Sequence, residues 1–217
     1  MARPSEADLP LFRQERVNDP EAALKLLAAE AKGCTRCDLY RNATQTVFGE
    51  GPADASLMLV GEQPGDQEDL VARPFVGPAG KALDKALEAG GIDRAQVYVT
   101  NAVKHFKNEP RGKRRIHKKP DTSEIDICRW WLGNELDIIQ PNVVVALGAT
   151  AARALMHKAL SINASRGRLI ALEDEMKAVI TVHPSYLLRL REERDKRREF
   201  DFLVKDLRLA ADAARRS

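Results

Sequence analysis

Four short apolar runs are the strongest pattern in this sequence, and each of them predicts a buried β-strand. They cover residues 56–60, 96–103, 142–147 and 177–182. Helical spacing of apolar residues marks 80–89, 123–139 and 149–158 between the strands, and 189–215 after them. Because strands that alternate with helices pair in parallel through right-handed crossovers, we expect a three-layer α/β/α sandwich with a central four-stranded, largely parallel sheet.

Another helix is predicted ahead of the first strand. Asn18 and Asp19 are capping residues, Pro20 suits the first helical position, and Gly33 suits the end of the helix. The chain has 217 residues and shows no internal repeat or low-complexity tract, and this length suits one hydrophobic core. We therefore expect a single domain over residues 1–217.

Composition narrows the class of protein. The chain is 44% hydrophobic and 31% charged, and no apolar run approaches the length that spans a bilayer. Residues 1–16 carry charges where a signal peptide has its apolar stretch, so we expect a cytoplasmic protein without membrane association. The net charge is only +3, but residues 111–119 include six Lys or Arg and no acid, which indicates a polyanionic partner.

Polar side chains follow several of the predicted strands at the point where each strand ends. In a parallel sheet these ends lie at one edge, and ligands bind beyond it. Glu62 and Gln63 follow the first strand, Asn101 ends the second, His183 follows the last, and Phe75 adds an aromatic face from a Gly- and Pro-rich loop. Singly, Asn101 is also a turn former and His183 a structural residue before proline. Their convergence favours a site for a flat heterocycle that carries carbonyl and imide groups.

Three motifs in this chain resemble those of the uracil-DNA glycosylase superfamily. They are GEQPG after the first strand, TNAVKH at the end of the second, and HPSYLLR after the last. The resemblance extends from Cys34 to about Leu209 and points to the iron-sulfur branch, which contains the family 4 enzymes. Within that branch, the KRRIH loop at residues 113–117 is similar to the loop that marks the UdgX group. This resemblance implies an α/β/α fold and the excision of uracil from DNA.

The resemblance also implies roles for the residues at the strand ends. Phe75 would stack on a flipped uracil, and Asn101 would hydrogen-bond its Watson–Crick edge. His183 would donate to the 2-oxo oxygen as uracil leaves as an anion, an interaction worth a few kcal/mol in a dry pocket. Gln63 would add a contact to the base or the sugar.

Predicted DNA contacts come from the HPSYLLR motif, the basic loop and one lysine. Leu187 is expected either to enter the space that the base vacates or to belong to the core. Ser185, Lys81 and Arg189 are predicted to contact phosphates, and Arg115 either contacts a phosphate or holds its loop by a salt bridge. The partner would be uracil-containing DNA, single-stranded or duplex, with uracil as the product.

Glu62 and His117 decide the chemistry. A carboxylate at Glu62 can stabilise the cationic sugar that forms as uracil leaves, orient water, accept a proton, or simply cap the loop. A neutral imidazole at His117 is a competent nucleophile, or the residue belongs to an ordinary solvated DNA-binding loop. Resemblance to the UdgX group implies that His117 becomes covalently attached to the abasic site, which ends activity after one turnover.

Two other functions are compatible with the same residues. A turnover uracil-DNA glycosylase would use Glu62 to direct water, and His117 would only contact DNA. A DNA-binding module would keep the fold as a lesion sensor without excision. Uracil released in molar excess over protein favours the first, and an undamaged glycosidic bond favours the second. Nothing in the sequence requires more than a monomer.

Three cysteines in a cytoplasmic chain predict a metal site rather than a disulfide framework. Cys34 and Cys37 form a CxxC pair, Cys128 is the third, and His105 is the candidate for a fourth ligand. These residues alone leave zinc and an iron-sulfur cluster open, and Cys128 also fits a plain buried thiol. The family 4 resemblance implies a structural [4Fe-4S] cluster, although a cysteine stands in that family where this chain has His105.

Overall fold

The central sheet has five strands in the computed structural model, which describes residues 18–172 and 176–216. Its strands are β1 (Leu57–Gly61), β2 (Val97–Asn101), β5 (Val143–Leu147), β6 (Leu169–Ala171) and β7 (Lys177–Thr181), while β3 (Asn108–Arg111) and β4 (Arg114–His117) form a separate hairpin. The spatial order is β2-β1-β5-β7-β6. All four predicted strands are present and parallel, and the short β6 adds an antiparallel edge.

Helices cover both faces of this sheet. They are α1 (Pro20–Ala31), α2 (Asp66–Val71), α3 (Pro78–Gly90), α4 (Thr122–Ile139), α5 (Ala149–Met156), α6 (Ile162–Ser165), α7 (Pro184–Arg189) and α8 (Glu193–Ala214). Alternate residues of β1 face opposite sides of the sheet. Leu57 and Leu59 pack with α3 and α8, whereas Met58 and Val60 pack with α1, α4 and α5. The predicted three-layer sandwich is therefore confirmed, with five strands in place of the expected four.

Local sequence explains where the helices of one layer begin. The Asp19 carboxylate accepts a hydrogen bond from the Ala22 N–H at 2.9 Å, and Pro20 occupies the first turn of α1, as predicted. Asp121 and Glu124 form a reciprocal capping box at the start of α4. These caps satisfy N–H groups that have no partner inside the helix.

Several short elements have no counterpart in the sequence prediction, among them α2 and α6. The β3–β4 hairpin occupies the basic loop, where every strand residue except Asn108 is at least partly exposed. The β6 strand has three residues and none is buried. The HPSYLLR motif forms α7, which starts at Pro184 with His183 as its cap. Hydrophobic periodicity cannot reveal elements this short or this polar, because few of their side chains enter the core.

At the N-terminal end, residues 1–16, on which the cytoplasmic prediction rested, lie outside the described residues. At the other end, α8 buries Leu203 and Leu207 and exposes most of its charged residues, as its charge run predicted. In the part of the chain that the structure describes, no helix is both long enough and apolar enough to cross a membrane.

A fully buried ion pair joins the segment after β2 to α4. Lys104 Nζ lies 2.5 Å from Glu135 Oε2, and neither side chain is exposed. Glu135 also accepts hydrogen bonds from the hydroxyls of Tyr98 and Thr100 at 2.9 Å. Lys104 donates further to Thr100 Oγ1 and to the Asn101 carbonyl. The network therefore fixes the carboxyl end of β2, where Asn101 enters the predicted site.

Replacing Lys104 by Met would leave the Glu135 carboxylate buried without its counter-charge. We expect this change to lower the free energy of unfolding by about 3–5 kcal/mol. The double variant Lys104→Met/Glu135→Gln removes both charges and keeps an acceptor for Tyr98, so it should regain most of the loss. Denaturant unfolding followed by circular dichroism measures both variants, and a double variant less stable than the single one would contradict this explanation.

Candidate active site

A cleft of about 1000 Å³ opens at the carboxyl edge of the sheet. The predicted site residues that line it are Glu62, Gln63, Phe75, Asn101, His117, His183, Ser185 and Arg189. Lining residues that sequence reasoning missed include Glu68, Lys119, Asn163, Tyr186 and Leu188. The strand ends thus converge as expected, and the β3–β4 hairpin brings His117 to the same cleft.

Phe75 and Asn101 meet above the end of β1. Gly61, the last residue of β1, pairs in register with Asn101. A Cβ atom at Gly61 would overlap both Asn101 Oδ1 and the Phe75 ring, so glycine is what allows these side chains to approach. Phe75 has a φ of 57°, which is uncommon for an aromatic residue, and Gly80 leaves room for its carbonyl. The backbone of the loop therefore fixes the ring at the base of the cleft.

His183 faces Phe75, with ring centroids 6.1 Å apart and planes inclined at 28°. Its Nδ1 accepts a hydrogen bond from the Ser185 N–H at 3.2 Å and lies 2.8 Å from Ser185 Oγ. With Nδ1 as the acceptor, the proton of the neutral ring is on Nε2, which becomes a donor. Burial lowers the pKa of His183 to about 4, although the Glu62 charge opposes this shift. The ring is therefore neutral at physiological pH.

Glu62 lies between Thr150 and His117. Thr150 Oγ1 donates a hydrogen bond to Glu62 Oε2 at 2.6 Å, and Glu62 Oε1 lies 3.5 Å from His117 Nε2. The His117 side chain is 51% exposed, so a substrate can reach it from solvent. A carboxylate in this position can orient the imidazole and stabilise positive charge that develops beside it.

Gln63 clamps the base of the hairpin that carries His117. Its amide donates to the Lys118 carbonyl at 2.9 Å and accepts from the Lys107 N–H at 2.9 Å. The Lys118 N–H in turn donates to the Lys107 carbonyl at 2.9 Å. Both polar ends of the Gln63 amide are engaged within the protein, and its contact with the base or the sugar stays a prediction. In this structure the side chain positions the hairpin.

Arg115 holds the same hairpin against α2. Its guanidinium pairs with Asp66 at 2.7 Å and with the buried Asp69 carboxylate, and it donates to Thr44 Oγ1 at 2.9 Å. It also lies over the Phe106 ring, 5.4 Å from the centroid. Of the two roles predicted for Arg115, the structure shows the salt bridge, and a phosphate contact stays a prediction.

The phase of α7 changes the prediction for its two leucines. Leu187 is 7% exposed and packs in the core with α3 and α8, so the structure does not support its insertion into DNA. Leu188 is 52% exposed and lines the cleft. Successive side chains of a helix point in directions about 100° apart, so the turn that buries Leu187 exposes its neighbour. The core alternative for Leu187 is the one observed.

The three predicted phosphate contacts occupy different positions. Arg189 is exposed and lines the cleft, where a DNA backbone can approach it. Ser185 also lines the cleft, but its hydroxyl is next to His183 Nδ1. Lys81 is exposed on α3 and does not line the cleft. Contacts of these residues with DNA stay predictions.

The three cysteines gather where the end of α1 meets α4. Cys34 and Cys128 are buried in one apolar cluster, and Cys37 packs against it. Trp131 Nε1 donates to Cys34 Sγ and the Lys104 backbone N–H donates to Cys128 Sγ, both at 3.2 Å. Burial raises the pKa of the Cys128 thiol to about 12. A bound cation would supply the charge needed to deprotonate it.

His105 is buried next to this region. Burial lowers the pKa of its imidazole, which favours the neutral form that binds metals. Within the described ranges, 18–172 and 176–216, no group of three or more His, Cys, Asp or Glu side chains has an arrangement that could hold a metal ion as it stands. The donor types, three thiols with N–H groups directed at two sulfurs, nevertheless fit a thiolate-bound metal or cluster. Ligation by His105 stays a prediction.

Several known proteins are similar to this chain in sequence. Residues 48–208 match the family model of the uracil DNA glycosylase superfamily. A type-4 uracil-DNA glycosylase of Thermotoga maritima is 41% identical over 172 residues, which cover 79% of this chain and 86% of the relative. Type-4 enzymes of Archaeoglobus fulgidus and Sulfurisphaera tokodaii are 34% and 36% identical and cover 77% and 76% of this chain, and 85% and 76% of their own lengths. The chain belongs to the uracil-DNA glycosylase superfamily.

The low pKa of His183 predicts a loss of stability in acid. Its pKa is about 4 in the folded protein against an ordinary value of 6.5, so between these values only the unfolded chain takes up this proton. The unfolded state therefore gains stability as the pH falls through that window. The slope of the unfolding free energy against pH is proportional to the number of protons taken up on unfolding. Replacing His183 by Asn should lower that number in this pH window by up to about one. Denaturant unfolding at several pH values measures this, and an unchanged dependence would refute the assignment.

Proposed function

We propose that this protein excises uracil from DNA and then becomes covalently attached to the abasic site through His117. The observation that carries the proposal is that His117 and Glu62 are neighbours in the cleft that also contains Phe75, Asn101 and His183. Membership of the uracil-DNA glycosylase superfamily supports the first step. The relatives named above are uracil-DNA glycosylases by their descriptions.

Base recognition uses Phe75 and Asn101. A uracil that is flipped out of the DNA would stack on the Phe75 ring, while the Asn101 amide offers one donor and one acceptor to its Watson–Crick edge. Asn101 is 3% exposed, and the Lys104 bond to its carbonyl fixes the backbone beneath it. A side chain held in this way discriminates by hydrogen bonding, because a base with the wrong edge would leave buried polar groups unpaired.

Excision breaks the bond between the sugar C1′ and uracil N1, and both electrons leave with the base. Negative charge then develops on the 2-oxo oxygen of uracil, where the neutral His183 Nε2–H can donate a hydrogen bond. The sugar becomes an oxocarbenium-like cation. The Glu62 carboxylate, held on the other side by Thr150, can stabilise that positive charge.

Capture of the cation by His117 forms a carbon-nitrogen bond. One ring nitrogen supplies its lone pair to C1′, and the proton on the other ring nitrogen is released from the resulting imidazolium. The 3.5 Å separation of His117 Nε2 from Glu62 Oε1 supports a role for the carboxylate in orienting the ring. The bond to imidazole has no easy route to hydrolysis, so each molecule would act once. Every side chain in this scheme belongs to one chain, which suits a monomer.

A [4Fe-4S] cluster bound by Cys34, Cys37, Cys128 and His105 belongs to the same proposal, with zinc as the alternative metal. Support comes from the common apolar environment of the three cysteines and from the N–H donors directed at two of their sulfurs. When bound, the cluster would cross-link the end of α1 to α4 and to the segment that follows β2. Its role would be structural, since none of these residues lines the cleft.

Covalent capture is tested by incubating the protein with a labelled oligonucleotide that contains one uracil. We expect a slowly migrating band that survives boiling in detergent. His117→Ser should remove this band and release uracil in molar excess over protein, because water then reaches the cation. A matched control, His157→Asn, changes an exposed histidine at the end of α5, where Asn tolerates the φ of 57°. It should crosslink like the unaltered protein.

The possible outcomes of this experiment separate the alternatives. A band that persists in the His117 variant would exclude His117 as the nucleophile. Alkali-labile DNA without any covalent band from the unaltered protein would establish a turnover glycosylase. Unchanged DNA after long incubation would establish a binding module and overturn the proposal.

The role of His105 is tested by metal content and visible absorption. We expect purified protein to contain iron and absorb visible light, His105→Cys to retain both, and His105→Ala to lose both. The cysteine variant serves as the matched control, because it changes the side chain but still supplies a metal ligand. Unchanged iron in the alanine variant would exclude His105 as a ligand, and zinc in place of iron would establish the alternative metal.

A further inference from the structure

The turn from β5 into α5 contacts two residues of the cleft, although it supplies no predicted catalytic side chain. This turn, defined as Gly148 together with the first two residues of α5, Ala149 and Thr150, follows the central strand of the sheet. Thr150 touches Glu62, and Gly148 packs against His183. The turn therefore lies between Glu62, which is assigned to the sugar cation, and His183, which is assigned to the leaving base.

Thr150 binds only one of the two oxygens of the Glu62 carboxylate. Its hydroxyl donates to Oε2 at 2.6 Å, a short bond of the kind formed by a neutral donor and a charged acceptor. The other oxygen, Oε1, is left to face His117 at 3.5 Å. Thr150 is 2% exposed and stands in the first turn of α5, so the donor is fixed by burial and by the helix.

Glu62 needs an external support to keep this orientation. A glutamate has three rotatable side-chain bonds, and its carboxylate gains solvation if it turns towards water. Its side chain is 24% exposed, so water has access to it. Among the described residues, Thr150 is the only one that donates a hydrogen bond to the Glu62 carboxylate. Removal of that hydroxyl would free the carboxylate to adopt other rotamers.

Gly148 limits how far the turn can move. It has a φ of 92°, and a Cβ atom at this position would lie 3.0 Å from His183 Cβ. Its N–H also donates to the Thr181 carbonyl at 2.9 Å, which ties the turn to the end of β7. The turn is therefore confined between β7 and the loop after β1, and the position of Thr150 is set relative to both Glu62 and His183.

We propose that Thr150 is a positioning residue that holds Glu62 in the orientation needed to stabilise the sugar cation and to face His117. This inference rests on the proposed function only in the role that it gives to Glu62. Thr150 touches neither the base nor the sugar in this scheme. Its removal should therefore slow the reaction without weakening the binding of uracil-containing DNA.

The test compares Thr150→Val, which removes the hydroxyl at nearly constant volume, with Thr150→Ser, which retains it. Single-turnover rates of uracil release and of covalent capture are measured over a range of protein concentrations in excess of the oligonucleotide. We expect the maximal rates of the valine variant to fall by about ten- to a hundred-fold, as for loss of a hydrogen bond to a charged group. Its half-saturating concentration should be unchanged, and the serine variant should recover most of the rate.

Thr181→Val is the matched control. Thr181 Oγ1 donates to Asp206 Oδ2 at 2.6 Å, and both residues are buried. This bond has the same chemistry as the bond between Thr150 and Glu62, but Asp206 lies outside the cleft and pairs with Arg166. Both valine variants should therefore lose stability, whereas only Thr150→Val should lose rate.

A double-variant comparison tests whether Thr150 acts through Glu62. In a Glu62→Gln background, Thr150→Val should have little further effect on either rate, because the group that it positions is already altered. Equal losses in both backgrounds, or equal losses for valine and serine, would overturn the proposal. If the unaltered protein released uracil without covalent capture, the crosslinking proposal would fail. The same comparison of uracil-release rates would still decide the role of Thr150.

Discussion

The parallel, in-register pairing of β1, β2, β5 and β7 is the constraint on which the rest of the site depends. Gly61 lies opposite Asn101, and Leu147 lies opposite Thr181, so all four strands end at the same level. Side chains just beyond these ends therefore enter one cleft, although they come from distant parts of the chain. Burial of the strands on both faces fixes that edge, because a slip of register would move core residues towards the helices of the wrong layer.

His117 is held in the cleft by side-chain contacts rather than by the pairing of the central strands. It stands on an exposed hairpin outside the central sheet, and side-chain contacts attach that hairpin to the loop after β1. Gln63 binds its base, and Arg115 pairs with Asp66 and Asp69. The residues assigned to excision and the residue assigned to capture thus have separate supports. A change in the hairpin contacts can alter capture while the strand ends keep their arrangement.

The cysteine cluster is connected to the cleft through one short segment. Lys104 donates its backbone N–H to Cys128 and its ammonium group to the Asn101 carbonyl and to Glu135. Asn101 contributes to the cleft, and His105 stands one residue beyond Lys104. Binding of a metal by the cysteines would therefore stabilise the segment that fixes Asn101, even though the metal would not touch a substrate.

The sequence by itself determined the layers of the fold and several residues of the cleft: Glu62, Asn101 and His183 at the strand ends, and Phe75 in the loop after β1. Apolar strands carry a strong periodic signal, and parallel pairing dictates where their ends meet. Only the tertiary structure decided that Gln63 and Arg115 bind the hairpin, that Leu187 is buried while Leu188 is exposed, and that Thr150 supports Glu62. Those outcomes depend on the phase of a short helix and on partners far apart in the chain, which local pattern does not encode.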